Sequence, residues 1–227
     1  MEIEVVQKIL KVNDEIAAGI RACLERARVA AVNLISAPGS GKTSLIEAAL
    51  AALRDTHRIG VIEGDPDTTL DAERVAKLGA PVVQIQTSGG CHLEANLVHR
   101  AIDRLPLGEL DLLLIENVGN LVCPVEFDLG ESDRVAVVST PEGHDKPAKY
   151  PKLFRSASTV VLNKIDLLPY VDFDEAIFEA YVRKTNPNAR ILRVSCKTGE
   201  GINAWTQWLE SRCRTGVSQA IGVKDRA

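Results

Sequence analysis

A short glycine-containing segment combines the residue types that bind phosphate groups. It reads Ser-Ala-Pro-Gly-Ser-Gly-Lys-Thr over residues 36–43 and stands between an apolar run and a helical pattern. In such a turn the backbone N–H groups point into one concavity, and the N-terminus of the next helix adds partial positive charge. Lys42 is placed to reach the β- and γ-phosphates of a nucleotide, and the Thr43 hydroxyl to bind Mg²⁺. The expected phosphate-binding residues are Pro38, Gly39, Ser40, Gly41, Lys42, Thr43 and Ser44.

One position departs from the usual phosphate-loop pattern. Ser36 stands where most such loops have glycine. Serine can form the turn, but we expect it to do so at some backbone cost.

A second motif bears on the choice of base. Asn163-Lys164-Ile165-Asp166 follows the apolar run 160–162. The Asp166 carboxylate can accept from both N1–H and the 2-amino group of guanine, a pair of donors that adenine does not present. Asn163 and Lys164 would brace the loop and cover the ring. About thirty residues later a second loop follows another strand, where a backbone N–H would meet the base oxygen; its residues are Ser195, Cys196 and Lys197. After a phosphate loop, these motifs predict GTP or GDP as the ligand.

The end of an apolar run carries a further candidate for Mg²⁺ and hydrolysis. Glu116 follows residues 112–115, at the carboxyl edge of a predicted central strand, where the metal of such a site should lie. Gly119 comes three residues later, and its N–H could sense the γ-phosphate. The expected catalytic residues are Lys42, Asp65, Glu116 and Gly119.

Residues 63–71 crowd four acids beside two threonines. Asp65 is our first choice there as a Mg²⁺ ligand and Asp71 the second. For Asp67 and Asp71, capping of a helix is an equally good interpretation, because residues 68–78 have a helical pattern.

Three residues offer softer ligands. Cys91 and His92 follow Ser-Gly-Gly at 88–90, where we expect a helix to begin, and Cys123 lies just beyond Glu116. Thiolate and imidazole suit Ni²⁺, Zn²⁺ or Cu⁺, and three ligands leave one position open. Spacing alone favours another reading, in which both thiols are buried and His92 is a surface residue. His99 would share a helical face with His92 and is a weaker candidate.

The elements that must position these residues alternate along the chain. Predicted strands span residues 29–36, 59–63, 82–86, 110–116, 135–139, 159–163 and 191–195. Helical patterns lie at 4–27 and near 42–55, 68–78, 91–104, 146–156, 173–185 and 201–213. This alternation predicts an α/β, P-loop NTPase three-layer fold with a mainly parallel sheet of about seven strands. We expect an N-terminal helix packed on the domain (1–28), a nucleotide domain (29–213) and a C-terminal tail (214–227).

Composition excludes several classes of partner. The 227 residues carry a formal charge of −4 and no dense basic run, so nucleic acid is not expected as a partner. No stretch approaches the roughly 18 to 20 apolar residues that span a bilayer, and the acidic start does not resemble a signal peptide. We therefore expect a cytoplasmic protein without a membrane partner. Its five cysteines are then expected to be reduced.

Six segments together resemble the HypB family, the nickel-incorporation GTPases of nickel-iron hydrogenase maturation; they are 12–17, 36–43, 62–65, 89–93, 115–124 and 140–147. The resemblance covers residues 5 to about 212 and implies a dimerising GTPase of the SIMIBI class, which also includes the urease accessory GTPase. It implies that Cys91, His92 and Cys123 bind nickel or zinc at the interface of a homodimer. It also implies two partners, a metallochaperone of the HypA type and the hydrogenase large subunit. The N-terminal Cys-x-x-Cys-Gly-Cys motif of many members is absent, which argues against tight nickel storage.

The sequence therefore predicts a GTPase whose nucleotide-driven dimerisation is coupled to metal binding. Slow turnover is expected, since no arginine finger is evident. Three alternatives stay open: a urease-accessory type of GTPase, a regulatory GTPase whose cysteines only fill the core, and a passive metal-binding protein with a structural nucleotide.

Overall fold

A seven-stranded parallel sheet with helices on both faces forms the centre of the molecule. The computed structural model describes residues 2–66 and 68–213, with side chains from residue 8 onward. The strand order is β3-β2-β4-β1-β5-β6-β7, and each neighbouring pair is parallel. The predicted α/β class and strand number are confirmed. The tail at 214–227 and Asp67 lie outside the described residues, and the proposed domain boundaries stay a prediction.

The strands are β1 (Ala30–Ser36), β2 (Ile59–Asp65), β3 (Val82–Gln86), β4 (Leu112–Glu116), β5 (Asp133–Ser139), β6 (Thr159–Asn163) and β7 (Arg190–Arg193). The helices are α1 (Glu2–Ala27), α2 (Lys42–Leu53), α3 (Leu70–Ala76), α4 (Ala95–Ile102), α5 (Lys146–Lys149), α6 (Pro151–Ser156), α7 (Glu175–Thr185) and α8 (Ile202–Glu210). Short 3-10 turns include Cys123–Glu126, Thr140–Glu142 and Ile165–Tyr170. Among the described residues, none of the helices combines the length and the apolar character needed to cross a membrane.

Strand β1 shows how the sheet is buried on both sides. Val32 and Leu34 pack in the core beneath α2 and α8, whereas Ala31 packs in the core beneath α1 and α4. Successive side chains of a strand point to opposite faces, so both faces must be apolar when helices cover both. The exception is Asn33, which is fully buried in the middle of this strand. A buried amide needs hydrogen-bond partners, and Asn33 finds them near the candidate site.

Two predicted helices differ from the structure. The helix expected to begin at residue 91 begins at Ala95, because Ser88 and Gly89 turn the chain through the left-handed region and Cys91 and His92 remain in the loop. The helix expected over 146–156 is divided at Tyr150, which is not helical. Pro151 explains the break, since proline disfavours helical geometry in the residue before it.

The parallel sheet collects the motifs at one edge. Ser36, Asp65, Glu116 and Asn163 are the last residues of β1, β2, β4 and β6. Carboxyl ends of parallel strands lie at the same edge, and ligands of open α/β sheets bind there. Segments more than a hundred residues apart in sequence therefore meet in one region.

Candidate functional site

The loop between β1 and α2 has the backbone of a phosphate cradle. Gly39 and Gly41 have φ of 74° and 97°, in the left-handed region that favours glycine. A Cβ on Gly41 would also lie 2.4 Å from Nδ2 of Asn163, so glycine is needed there on two grounds. Ser36 is not in the left-handed region, and the backbone cost expected at that position is therefore not incurred. Its Oγ instead accepts a hydrogen bond from Lys42 Nζ at 3.1 Å.

Two buried carboxyl groups face the start of α2. The Thr43 hydroxyl donates to Oε1 of Glu116 at 3.0 Å, and Lys42 Nζ lies 3.8 Å from the same oxygen. Glu63 pairs in register with Glu116 on the neighbouring strand. Burial, together with repulsion from Glu116, raises the pKa of Glu63 to about 10. This arrangement favours a cation, because Glu63 Oε1 and Glu116 Oε2 are buried without a hydrogen-bond partner among the residues that the structure describes.

These groups fit Mg²⁺, which prefers oxygen ligands. Thr43 and Glu116 both line a cleft of about 480 Å³ beside the phosphate loop, and their role as Mg²⁺ ligands stays a prediction. Bound there, the cation would neutralise charge on the phosphates. Glu63 lines the same cleft but was not among the expected ligands. Only its strand register opposite Glu116 reveals it, and that register follows from the fold rather than from the acidic run.

Three other predicted residues also line the cleft, namely Asp65, Asp71 and Gly119. Asp65 accepts from the backbone N–H of Thr68 at 2.5 Å. Asp71 lies in the first turn of α3 and pairs with Arg74 at 2.9 Å, so the metal-ligand and helix-terminus interpretations both stay open. A Cβ on Gly119 would come within 3.0 Å of Pro38 in the phosphate loop.

The predicted base-binding residues other than Ser195, which is fully buried, line a second cavity of about 670 Å³. The Ser195 hydroxyl donates to Oδ1 of Asp166 at 2.6 Å and fixes that carboxylate. Asn163 donates to the backbone oxygen of Ser40 at 2.9 Å, which ties the base loop to the phosphate loop. Lys164 does the same through Nζ to the oxygen of Gly39, at 2.6 Å. The cavity lining includes Gly41, Ser44, Asn163, Lys164, Asp166, Cys196 and Lys197.

Cys196 is a neutral thiol on the wall of this cavity. Burial raises its pKa to about 11. At neutral pH the side chain therefore adds a polarisable apolar surface rather than a charge.

A further acid, missed in the sequence, holds the phosphate loop from the side of β5. Oε1 of Glu142 accepts from the Ser40 hydroxyl at 2.7 Å and from the backbone N–H of Ser139 at 2.8 Å. Glu142 belongs to a capping box at the 3-10 turn Thr140–Glu142. Its segment, 140–147, contributes to the family resemblance, but nothing in its sequence indicates contact with residue 40.

The three soft ligands come together on two loops at this edge. Cys91 and His92 precede α4, and Cys123 begins the 3-10 turn that follows β4. One ligand atom from each lies within 4.8 Å of the others. Cys91 Sγ is 3.5 Å from Nδ1 of His92, whose ring stacks on Phe127 with centroids 4.0 Å apart. Cys91 is exposed and Cys123 half-buried, unlike the alternative in which both thiols are buried.

The protonation states of Cys91 and His92 bear on how the cluster would bind a soft cation, since the ligand forms are thiolate and neutral imidazole. A hydrogen bond with Cys123, reinforced by desolvation, raises the pKa of Cys91. Burial lowers the pKa of His92, against the opposing charge of Glu94. Cys91 is then a thiol and His92 a neutral imidazole, and a metal that displaces the Cys91 proton and also binds Cys123 gains three N/S ligands with an open position. His99 is not part of this group of ligands; it is exposed on α4, 4.0 Å from Asp103.

The sheet, the loop after β1 and the strand-end acids define a P-loop nucleotide-binding protein. Comparison with known proteins narrows the class. A family-level sequence model described as CobW/HypB/UreG, nucleotide-binding domain, matches residues 30–193. The hydrogenase maturation factor HypB of Azotobacter vinelandii is 49% identical over 219 residues, which are 96% of this chain and 72% of that protein.

Two solved structures agree with this comparison. HypB from Archaeoglobus fulgidus superposes with a TM-score of 0.85 at 39% identity, covering 90% of this chain and all of that one. HypB from Helicobacter pylori in complex with nickel gives a TM-score of 0.83 at 35% identity, covering 90% of this chain and 98% of that one. The chain belongs to the HypB family of hydrogenase maturation factors.

Proposed function

We propose that this protein is a GTP-hydrolysing metallochaperone that helps insert nickel into nickel-iron hydrogenase. The observation that carries the proposal is the meeting of Cys91, His92 and Cys123 on two loops at the sheet edge where the phosphate cleft lies. The loop that leads to Cys123 also lines that cleft, through Val118 and Gly119. A nucleotide-binding domain and a soft-metal ligand set then occupy one edge of one sheet. The relative whose structure was solved with nickel supports the choice of metal.

In this proposal the nucleotide is GTP, selected by Asp166 and held by the loop after β1. Lys42 stabilises the β- and γ-phosphates, while Thr43, Glu116 and Asp65 supply oxygen ligands for Mg²⁺. The N–H of Gly119 senses the γ-phosphate. No arginine finger is assigned, so turnover of the isolated protein is slow.

Nickel is the cargo and a second copy of the chain completes its site. Three ligands on the protein surface leave a position that the partner subunit's equivalent residues can fill. GTP with Mg²⁺ favours this homodimer, and hydrolysis rearranges the ligands so that the metal passes on. A metallochaperone of the HypA type would exchange nickel with this protein. The hydrogenase large subunit would be the final target of the metal.

Cysteine variants test the metal site. Cys91→Ala and Cys123→Ala should each weaken Ni²⁺ binding at least about tenfold, because a lost thiolate leaves two ligands. GTP affinity should change little. Cys23→Ala, at a half-buried cysteine on α1, is the matched control and should bind Ni²⁺ like the wild type. Titration calorimetry of reduced protein gives both affinities. If the variant that lacks both Cys91 and Cys123 binds Ni²⁺ with wild-type affinity, the cluster is not the metal site. The protein would then be interpreted as a regulatory GTPase.

Hydrolysis needs its own assay. Phosphate release from GTP should be slow but measurable, and Lys42→Ala should abolish it. Equal rates in the two proteins would contradict the assignment of the phosphate loop.

A further inference from the structure

We infer that Asn117 is a positioning residue that couples the phosphate cleft to the Cys91–His92–Cys123 cluster. The inference rests on the proposed function, in which Ni²⁺ affinity differs between nucleotide states. Asn117 follows Glu116 directly and is fully buried. It is not one of the three clustered metal ligands, so its effect must pass through the atoms that it holds.

The first argument is a hydrogen bond between two functional segments. Oδ1 of Asn117 accepts from the backbone N–H of Leu93 at 3.2 Å and from that of Val118 at 3.0 Å. Leu93 comes directly after His92, and Val118 lines the phosphate cleft. One amide oxygen thus joins the backbone that follows β4 to the backbone that carries two of the soft ligands.

The second argument is the packing of Leu93. Its side chain lies against Gly64, where an added Cβ would be 2.9 Å from the leucine methyl carbons. Gly64 separates Glu63 from Asp65 at the end of β2. Leu93 is therefore held through its amide by the end of β4 and through its side chain by the end of β2. A shift of either acidic strand end moves Leu93 and, with it, His92.

The orientation of the Asn117 amide is fixed from the opposite side. Its Nδ2 donates to Oδ1 of Asn33 at 3.3 Å, and Asn33 in turn donates to Oε1 of Glu131 at 3.3 Å. The carboxylate of Glu131 also accepts from Arg134 at 2.8 Å. Because these groups are buried, reversal of the amide would leave donors and acceptors unpaired, at a high cost. The oxygen is thus kept toward Leu93.

Asn117 differs in this respect from Asn13, another side chain that supports the ligand loops. Asn13 of α1 accepts from the N–H of Ala95 and donates to the oxygen of Asp128, so it braces both loops as well. It does not line the phosphate cleft. Loss of Asn13 would destabilise the ligand loops equally in every nucleotide state. Loss of Asn117 would instead remove the hydrogen bond that links these loops to the cleft.

The test compares Ni²⁺ affinity in two nucleotide states. The dissociation constant is measured by calorimetry with GDP and with a non-hydrolysable GTP analogue plus Mg²⁺, and the ratio of the two values is the readout. For the wild type we expect a ratio that differs from one by about fivefold or more, in the usual range of coupling between sites. Asn117→Ala should bring the ratio to about one. Asn117→Asp keeps an oxygen that can accept from the Leu93 N–H. Its ratio of dissociation constants should therefore lie closer to the wild-type value than that of Asn117→Ala.

Asn186→Ala is the matched control. Asn186 is a half-buried asparagine that donates to backbone oxygens of Phe154 and Ala157, between α6 and α7. A merely structural loss lowers thermal stability and changes both dissociation constants equally, so this variant should keep the wild-type ratio. If Asn117→Ala does not fold, Asn117→Ser serves instead, since its hydroxyl is too short to reach Leu93; the expected ratio is again about one.

The outcomes separate this inference from the function on which it rests. A wild-type ratio that differs from one in either direction and persists in Asn117→Ala or Asn117→Ser overturns the role of Asn117 and leaves the proposed function standing. A wild-type ratio of one overturns both, because there is then no coupling to carry.

Discussion

At the scale of single residues, we expect base selection to depend on the carboxylate of Asp166. Replacing it with asparagine exchanges an acceptor for a donor at the position that meets the 2-amino group of guanine. Asp166→Asn should weaken GDP binding at least about tenfold, since a hydrogen bond to a charged group contributes about 1.5–3 kcal/mol. Xanthosine diphosphate, which has an oxygen at that position, should bind the variant better than GDP does. Competition titrations with the two nucleotides measure this reversal.

Ser195→Ala provides the matched control for that reversal. It removes the hydroxyl that donates to Asp166 at 2.6 Å and keeps the carboxylate. GDP should bind this variant more weakly than the wild type, without any preference for xanthosine diphosphate. An unchanged base preference in Asp166→Asn would refute the assignment of the base loop.

The residues that could be predicted from the sequence belong to motifs whose members are neighbours in sequence. Gly39, Lys42 and Thr43 are recognisable because the phosphate loop is continuous in sequence. Glu63 and Asn117 are not, because their roles depend on strand register and on a contact with a loop more than twenty residues away. Chemistry built from neighbours in sequence can be predicted, whereas chemistry built across strands requires the fold.

At the scale of elements, α1 braces both loops that carry the metal-ligand cluster. Asn13 is 5% exposed and makes hydrogen bonds of 2.8 Å to Ala95 and to Asp128. Asn13→Ala would leave the N–H of buried Ala95 and the carbonyl of half-buried Asp128 without this partner, so we expect a loss of about 1–3 kcal/mol in the free energy of unfolding. Urea denaturation measures it. Glu15→Ala, on the exposed side of the same helix, should cost less than about 0.5 kcal/mol. Equal stability of the two variants would show that α1 does not brace these loops.

The ion pair between Arg21 and Asp128 adds a pH-dependent contribution from the same helix. Although desolvation acts to raise it, hydrogen bonds from Arg21 and from the Gly130 N–H lower the pKa of Asp128 below its ordinary value of 3.8. A carboxyl group with a lowered folded-state pKa stabilises the protein above its unfolded pKa, and this contribution is lost as pH falls through the folded value.

The difference in melting temperature between wild type and Asp128→Asn should therefore be largest at neutral pH and shrink below about pH 4. Both groups are partly exposed, so the difference should be small and should fall with added salt. Thermal unfolding at several pH values checks this. A difference that is independent of pH would mean that the charge of Asp128 does not stabilise the fold.

Most of the elements could be predicted because apolar periodicity is strong in a sheet buried on both faces. Strands β3 and β6 have the predicted bounds, 82–86 and 159–163. The predicted start of α4 was wrong by four residues, because the sequence does not show that Ser88 and Gly89 form a turn with positive φ before the helix. That error matters for function, because a loop rather than a helix presents Cys91 and His92.

At the scale of the whole molecule, one sheet edge carries two chemistries. The nucleotide cleft lies over the ends of β1, β2 and β4, and the soft-ligand cluster lies on the loops that enter α4 and leave β4. Parallel topology brings these parts together, and the fold class from which this follows was predictable from the sequence. The sequence also predicted coupling between the two, but not the role that we infer for Asn117 in it, because that role depends on buried side-chain contacts.

The most direct test of the proposed function is calorimetric titration of Ni²⁺ into reduced protein, first with GDP and then with a non-hydrolysable GTP analogue plus Mg²⁺, with light scattering to follow the dimer. We predict that the analogue produces a dimer and changes the nickel isotherm. Identical isotherms and an unchanged mass in the two states would contradict GTP-gated delivery of nickel.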